Sequence, residues 1–238
     1  NLLPKYQAKL GHQVILVVST QRHHQSEQGC CSFEDYQSAD GFRVIRQPIR
    51  LFPLPFLRRT LQHLQVYELF CREKPDVIFH HGLISPSARQ AARYKKRVNP
   101  HCVILQDNHM DYNIGFTTDC LKGRILKLIY RRLYRSTDRY INKVYGVTPW
   151  RKEYARDIFG VPEEKLDVLI MGADDDRLDF EHREDYRAEL RQKHGIGQDE
   201  FLIVTGGKID EKKKIHLLMD AVKELAGVKL LICGTATE

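Results

Sequence analysis

The sequence has no long hydrophobic run. Its apolar stretches reach about five residues, as in "VILVV" at 14–18, against the roughly 18 that a membrane-spanning helix needs. No signal peptide is visible, and the first residue is Asn1 rather than methionine, so a fragment of a longer protein is expected. The six cysteines include no C-x-x-C pair, which argues against a zinc site. Cys102 and Cys233 lie in apolar strand-like runs; both are expected as buried, reduced thiols, as in a reducing cytoplasm. There is neither a Walker A loop nor a G-x-G-x-x-G turn, which disfavours a P-loop enzyme or an ordinary dehydrogenase. Internal repeats, low-complexity tracts and recognised nucleic-acid-binding motifs are also lacking.

What is present is a globular pattern. Of 238 residues, 42% are hydrophobic and fall in periodic blocks, enough for one large domain or two modest ones. The formal charge of +7 conceals an asymmetry: residues 1–150 carry 23 Lys/Arg against 11 Asp/Glu, and residues 151–238 carry 15 against 20. The basic first half suggests an anionic partner, whether phosphate, acidic lipid or nucleic acid.

Strands and helices alternate. "QVILVV", "GFRVIRQ", "PDVIFHHG", "HCVILQD" and "KVYGVT" read as strands. Helices are predicted between them: residues 53–74, with Leu57, Leu61, Leu64, Tyr67 and Cys71 on one face; "SPSARQAARYKKR", capped by Ser85 or Ser87; and "PWRKEYARDIFG", with Pro149 in its first turn and Gly160 past its end. This order predicts an α/β fold with parallel sheets. An acidic, polar linker places a boundary near 180, giving domains at 1–180 and 181–238. The first is expected to lack its opening strand, and the second, short for such a domain, is expected to be incomplete.

"GGKIDEKKKIHLL" (206–218) follows a strand and precedes a helix. That is where doubly wound folds bind ligands and where backbone N–H groups attract anions. A solvated, lysine-rich helix start is the competing reading, although lysine there opposes the helix dipole. "ADDDR" (173–177) could suggest a metal, but an acidic exposed hinge loop is the preferred reading. "KGRILKLIYRRLYRSTDRY" sets seven cations, Lys122 to Arg139, around the apolar Ile125, Leu128, Ile129 and Leu133. It is either a surface helix packed on the sheet or a helix that lies on anionic lipid.

These motifs together resemble the retaining family-4 glycosyltransferases. "GGKIDEKKKIHLLMDAV" resembles that family's G-R-L-x-x-x-K-G, with Gly207, Lys208 and Lys213 at the glycine, arginine and lysine and Lys214 where glycine is usual. "LGHQVILVVS" resembles its G-H-x-V, "KPDVIFHHG" its P-D-V-I-H-x-H-G, and "VYGVTPWRKEYARDIFGVPEEKLDVLIMGADDDRL" its strand, helix, G-V-P-x-x-K and N-G-V-D run. The match is co-linear over essentially the whole chain. It implies a GT-B fold: two Rossmann-like domains, the C-terminal one incomplete here, with catalysis between them.

The resemblance further implies a hexosyltransferase-type enzyme. A sugar would pass from a nucleotide diphosphate sugar to a glycan or lipid-linked acceptor, in polysaccharide or glycolipid synthesis, without a metal or other cofactor. Lys208 and Lys213 would bind the diphosphate, with Gly206 and Gly207 shaping the loop. His109, in "LQDNHMDYNIG", would contact the donor sugar; Asp107, His81 and Asp174 are cleft candidates, and His80 and His81 are expected mainly as structural cleft wall. No nucleic acid is expected as partner. A cytoplasmic protein is expected, peripheral on the membrane through the Lys122–Arg139 helix. The family's E-x7-E signature lies beyond this stretch, so weak or no turnover is expected of these residues alone. The alternatives are a catalytically inactive binding or membrane-recruitment protein and a nucleotide-sugar epimerase of the same fold.

Overall fold

The computed structural model describes residues 2–20, 33–50, 64–113, 120–209 and 211–236, without the side chains of Lys122, Lys208, Lys212 and Ala236. The chain divides into two compact units, Asn1–Ala173 and Asp174–Glu238.

The first unit opens with α1 (Leu2–Lys9), followed by β1 (Ile15–Ser19), β2 (Glu34–Gln37) and β3 (Arg43–Gln47). These strands form a sheet in the order β1-β3-β2. β1 and β3 are parallel, and β2 is antiparallel to β3. The sequence "EDYQ" of β2 has no apolar alternation and was not expected as a strand. Charge holds it instead: Arg43 donates to both Asp35 oxygens at 2.8 and 2.7 Å, and Arg46 pairs with Glu34 at 3.2 Å. Such cross-strand pairs stabilise a sheet edge.

A second sheet carries β4 (Val77–His81), β5 (Val103–Asn108), β6 (Lys143–Gly146) and β7 (Leu166–Val168) in that order, all parallel. The intervening helices are α2 (Tyr67–Glu73) before β4, then α3 (Pro86–Arg97), α4 (Leu121–Arg135) and α5 (Pro149–Tyr154). Ser85 caps α3 through Ala88 N–H at 3.4 Å, and Thr148 caps α5 through Arg151 N–H at 3.3 Å; each cap precedes a proline suited to the first turn. α5 widens into a π-helical turn over Ala155–Phe159 and stops at Gly160, where φ is +72°.

The helix expected over 53–74 is shorter where it can be followed. Leu57 and Leu61 lie outside the described residues, and Leu64 precedes α2. Gln90 explains the late start: its Oε1 accepts from Val66 N–H at 2.7 Å and Tyr67 N–H at 2.9 Å, and its Nε2 donates to Leu64 O at 3.0 Å. The core beneath the second sheet buries Tyr94, Tyr134, Tyr154 and Phe159 with Ile104 and Val144. Cys102 is buried there as expected, but Cys233 is exposed, because its strand in the second unit has one paired neighbour among the described residues.

The second unit contains α6 (Arg183–Lys193), β8 (Phe201–Ile209), α7 (Ile215–Val222) and β9 (Val228–Ala236). β8 and β9 are parallel over their whole length. Gly206, Gly207 and Lys208 are therefore rungs of β8, and the turn that follows begins only at Glu211. The glycines allow close strand approach: a Cβ on Gly234 would collide with the Gly207 carbonyl. Lys214 precedes α7 with φ +52°, in the left-handed region, which costs a side-chain-bearing residue about 1–2 kcal/mol. Lys214→Gly is therefore expected to raise stability by about 1 kcal/mol, measured by denaturant unfolding.

Candidate functional site

Polar residues gather at the carboxyl ends of β4 and β5, the edge where open parallel sheets bind ligands. β5 begins apolar and ends with Gln106, Asp107 and Asn108, all buried. The parallel register sets His81 directly beside Asp107. His81 Nδ1 lies 3.0 Å from the Asp107 carboxylate, and His109 Nε2 reaches it at 3.2 Å. The two imidazole rings are 4.4 Å apart at an angle of 50°. Gly82 N–H also donates to Asp107 Oδ1 at 3.2 Å.

Solvent access differs sharply within the cluster. The Asp107 side chain is 9% exposed, against 73% for His81 and 35% for His109. A buried carboxylate thus holds two accessible rings. Burial alone would push Asp107 up. The His81 hydrogen bond and charge, with the Gly82 and His109 hydrogen bonds, more than offset this and leave the carboxyl below its ordinary value. His81 moves up, because its hydrogen bond to Asp107 outweighs its partial burial.

The signs combine into a window. His81 adds stability that is full below its unfolded value and is lost as pH rises through its raised folded value. Asp107 adds stability that is full above its unfolded value and is lost as pH falls through its lowered folded value. The pair therefore contributes most between about pH 4 and about pH 6.5. The stability gap between the wild type and Asp107→Asn is expected to narrow above that window, as read by denaturant unfolding at a series of pH values.

The loop that carries His109 is fixed from below. Asn108 Nδ2 donates to Met110 O and Arg151 O, both at 2.8 Å, and Arg151 pairs with Asp111 at 3.2 Å. Tyr112 donates to Asp157 at 2.7 Å and packs edge-on against Trp150 and Tyr154. His80 has the structural place expected of it: its ring nitrogens bond Gly82 O and Ser85 Oγ, both at 2.8 Å, and burial pushes its pKa down. The His81 ring joins the Asp107 cluster. The signal for this was present in two strand ends, "HHG" and "QDNH", but it becomes visible only once β4 and β5 are placed in register.

Asp107, His81 and His109 are thus brought together in the first unit. Gly206, Gly207, Lys208 and Lys213 belong to the second. The Lys208 side chain lies outside the described residues, and Lys213 is exposed in a 3-10 turn. Asp174 opens the second unit and pairs with Arg177 at 3.5 Å. The His81, Asp107 and His109 donor atoms all lie within 4.8 Å of one another, a nitrogen–nitrogen–oxygen set that could also take a transition metal. Such an ion would compete with the protons that now join both rings to the carboxylate.

The model of Glycosyltransferase Family 4 matches residues 3–177. A glycosyltransferase from Rickettsia africae ESF-5 is similar in structure, with a TM-score of 0.54 and 14% identity over 97% of this chain and 62% of that one. Anabaena Alr3699/HepE, solved in complex with UDP and glucose, is similar with a TM-score of 0.49 and 15% identity over 83% of this chain and 48% of that one. The chain thus spans less than two thirds of the length of either solved structure. No curated protein matches it in sequence.

Proposed function

The chain belongs to Glycosyltransferase Family 4 and has an α/β fold of the GT-B type, and from this premise we propose that it transfers a hexosyl group from a nucleotide diphosphate sugar to a hydroxyl of a glycan or lipid-linked acceptor, with retention. The carboxylate-held pair of imidazoles at the β4–β5 edge is the observation that carries this reading. A sugar–diphosphate bond breaks as positive charge grows on the sugar and negative charge on the departing phosphate. His109, its ring oriented by Asp107, holds the sugar and steadies the reacting carbon. Lys208 and Lys213 stabilise the leaving diphosphate, and Gly206 and Gly207 keep the backbone before them free of side chains. Attack from the face of departure leaves the phosphate itself to take the acceptor proton, so no protein nucleophile is required.

Transfer in this scheme needs no resident metal, and activity is expected to survive exhaustive chelation, measured as nucleoside diphosphate release. Loss on chelation with recovery on metal addition would assign His81, Asp107 and His109 to an ion instead.

α4 supports a membrane surface as the place of work. Leu121 is 74% and Leu128 is 68% exposed, with Ile125 and Ile129 beside them and the cations Arg124, Arg132 and Arg135 along the helix. Among the described residues, no helix is long and apolar enough to cross a membrane.

The reading is tested by incubating the protein with a panel of nucleotide diphosphate sugars, with and without acceptor. Nucleoside diphosphate release that depends on acceptor supports transfer. Release or sugar isomerisation without acceptor supports an epimerase, and binding to anionic vesicles with no release from any donor supports a recruitment protein.

A further inference from the structure

A second concentration of charge lies at the opposite edge of the same sheet. α3 runs from the carboxyl end of β4 back toward the start of β5, so its last turns are remote from His81, Asp107 and His109. Between α3 and the Asp138–Tyr140 turn after α4 is a concavity of about 320 Å³. Arg89, Arg93, Lys96 and Arg97 line it from α3, and Arg139 lines it from the turn.

Stability alone does not account for this set. Cations in the last turn of a helix complement its dipole, which explains Lys96 and Arg97. Arg89 stands near the start of α3, where a cation is unfavourable. Arg89 and Arg93, and Arg93 and Arg97, are like charges four apart, which weaken a helix. Among the described residues, no carboxylate pairs with any of the five. Asp138, the acid nearest in sequence to Arg139, is instead held by Lys165 at 3.0 Å.

Two of the cations rest on aromatic rings. The Arg93 guanidinium lies over the Tyr67 ring at 4.2 Å, and that of Arg139 over the Tyr140 ring at 4.8 Å. A ring contact of this kind uses the charge and not the N–H donors of a guanidinium, and those donors match phosphate oxygens two at a time.

We propose that this pocket binds a phosphate-bearing anion, gripped by Arg93 and Arg139 and neutralised by Arg89, Lys96 and Arg97. The site is separate from the sugar-transfer edge and does not depend on the transfer reading. A free phosphate compound and a phospholipid headgroup share this chemistry, and the test separates them.

Binding is measured in a Lys208→Ala/Lys213→Ala background, which removes the expected diphosphate site of the second unit. One arm titrates inorganic phosphate by calorimetry. The other co-sediments the protein with phosphatidylcholine vesicles with and without phosphatidic acid. Arg93→Gln/Arg139→Gln is expected to weaken binding about tenfold or more in at least one arm. Arg89→Gln/Lys96→Gln, which disturbs no ring contact, is expected to weaken it in the same arm and guards against misfolding of the first variant. A response in the phosphate arm identifies a free anion, and a response in the vesicle arm alone identifies a headgroup. Absence of binding in both arms, or binding that neither variant changes, overturns the proposal.

Discussion

Asp107→Asn is expected to lower sugar transfer about 100-fold or more, the scale of a positioned proton-sharing group, while the protein stays folded. Asparagine keeps the shape of the side chain and one oxygen for Gly82 N–H. It loses the charge that both imidazoles share, and its amide nitrogen would face a ring N–H. His81 then loses the cause of its raised pKa, and His109 loses the partner that fixes its ring. Asp107 acts through these rings, so kcat is expected to fall while the KM for donor changes little. The same variant should return His81 toward an ordinary imidazole value, about 6.5, by NMR titration. Unchanged kcat together with an unshifted His81 would remove the cluster from the mechanism.

Gly146→Ala is expected to cost about 3 kcal/mol or more, beyond the usual range for one added methyl group because the obstacle is main chain. Gly146 ends β6 opposite Asn108, where the first turn of α5 crosses it. A Cβ there would overlap the Lys152 backbone nitrogen and lie 2.6 Å from its Cα. No flexible side chain can swing away, so β6 and α5 would have to separate. That movement would carry off Arg151, whose carbonyl holds Asn108 and whose guanidinium holds Asp111. The midpoint of thermal unfolding should fall by roughly 10 °C. Gly172→Ala is the control: a Cβ there meets nothing within 4 Å, and its effect is expected within about 0.5 kcal/mol.

Local rules made much of the fold legible. Ser85 before Pro86 and Thr148 before Pro149 mark helix starts by chemistry that needs only neighbours in sequence, and both cap as expected. The apolar strands β4 and β5 announce themselves by composition. β2 does not, because its stability comes from Arg43 and Arg46 on another strand. α2 begins late for a similar reason: Gln90, on α3, meets the first N–H groups. The site divides along the same line. His109 and Asp107 sit two residues apart and could be paired from the sequence, whereas His81 is 26 residues from Asp107 and joins it only through strand register.

The central proposal is that the residues of this chain take part in moving a sugar from a nucleotide diphosphate donor. The most direct measurement is transfer of labelled sugar from such a donor into glycan or lipid acceptors, comparing the wild type with Asp107→Asn and with Lys208→Ala/Lys213→Ala, in this chain and in any longer form of the protein. Label in acceptor from the wild type, with severe loss in both variants, is the predicted result. Folded longer protein that labels no acceptor from any donor, or transfer that both variants perform at the wild-type rate, would contradict it.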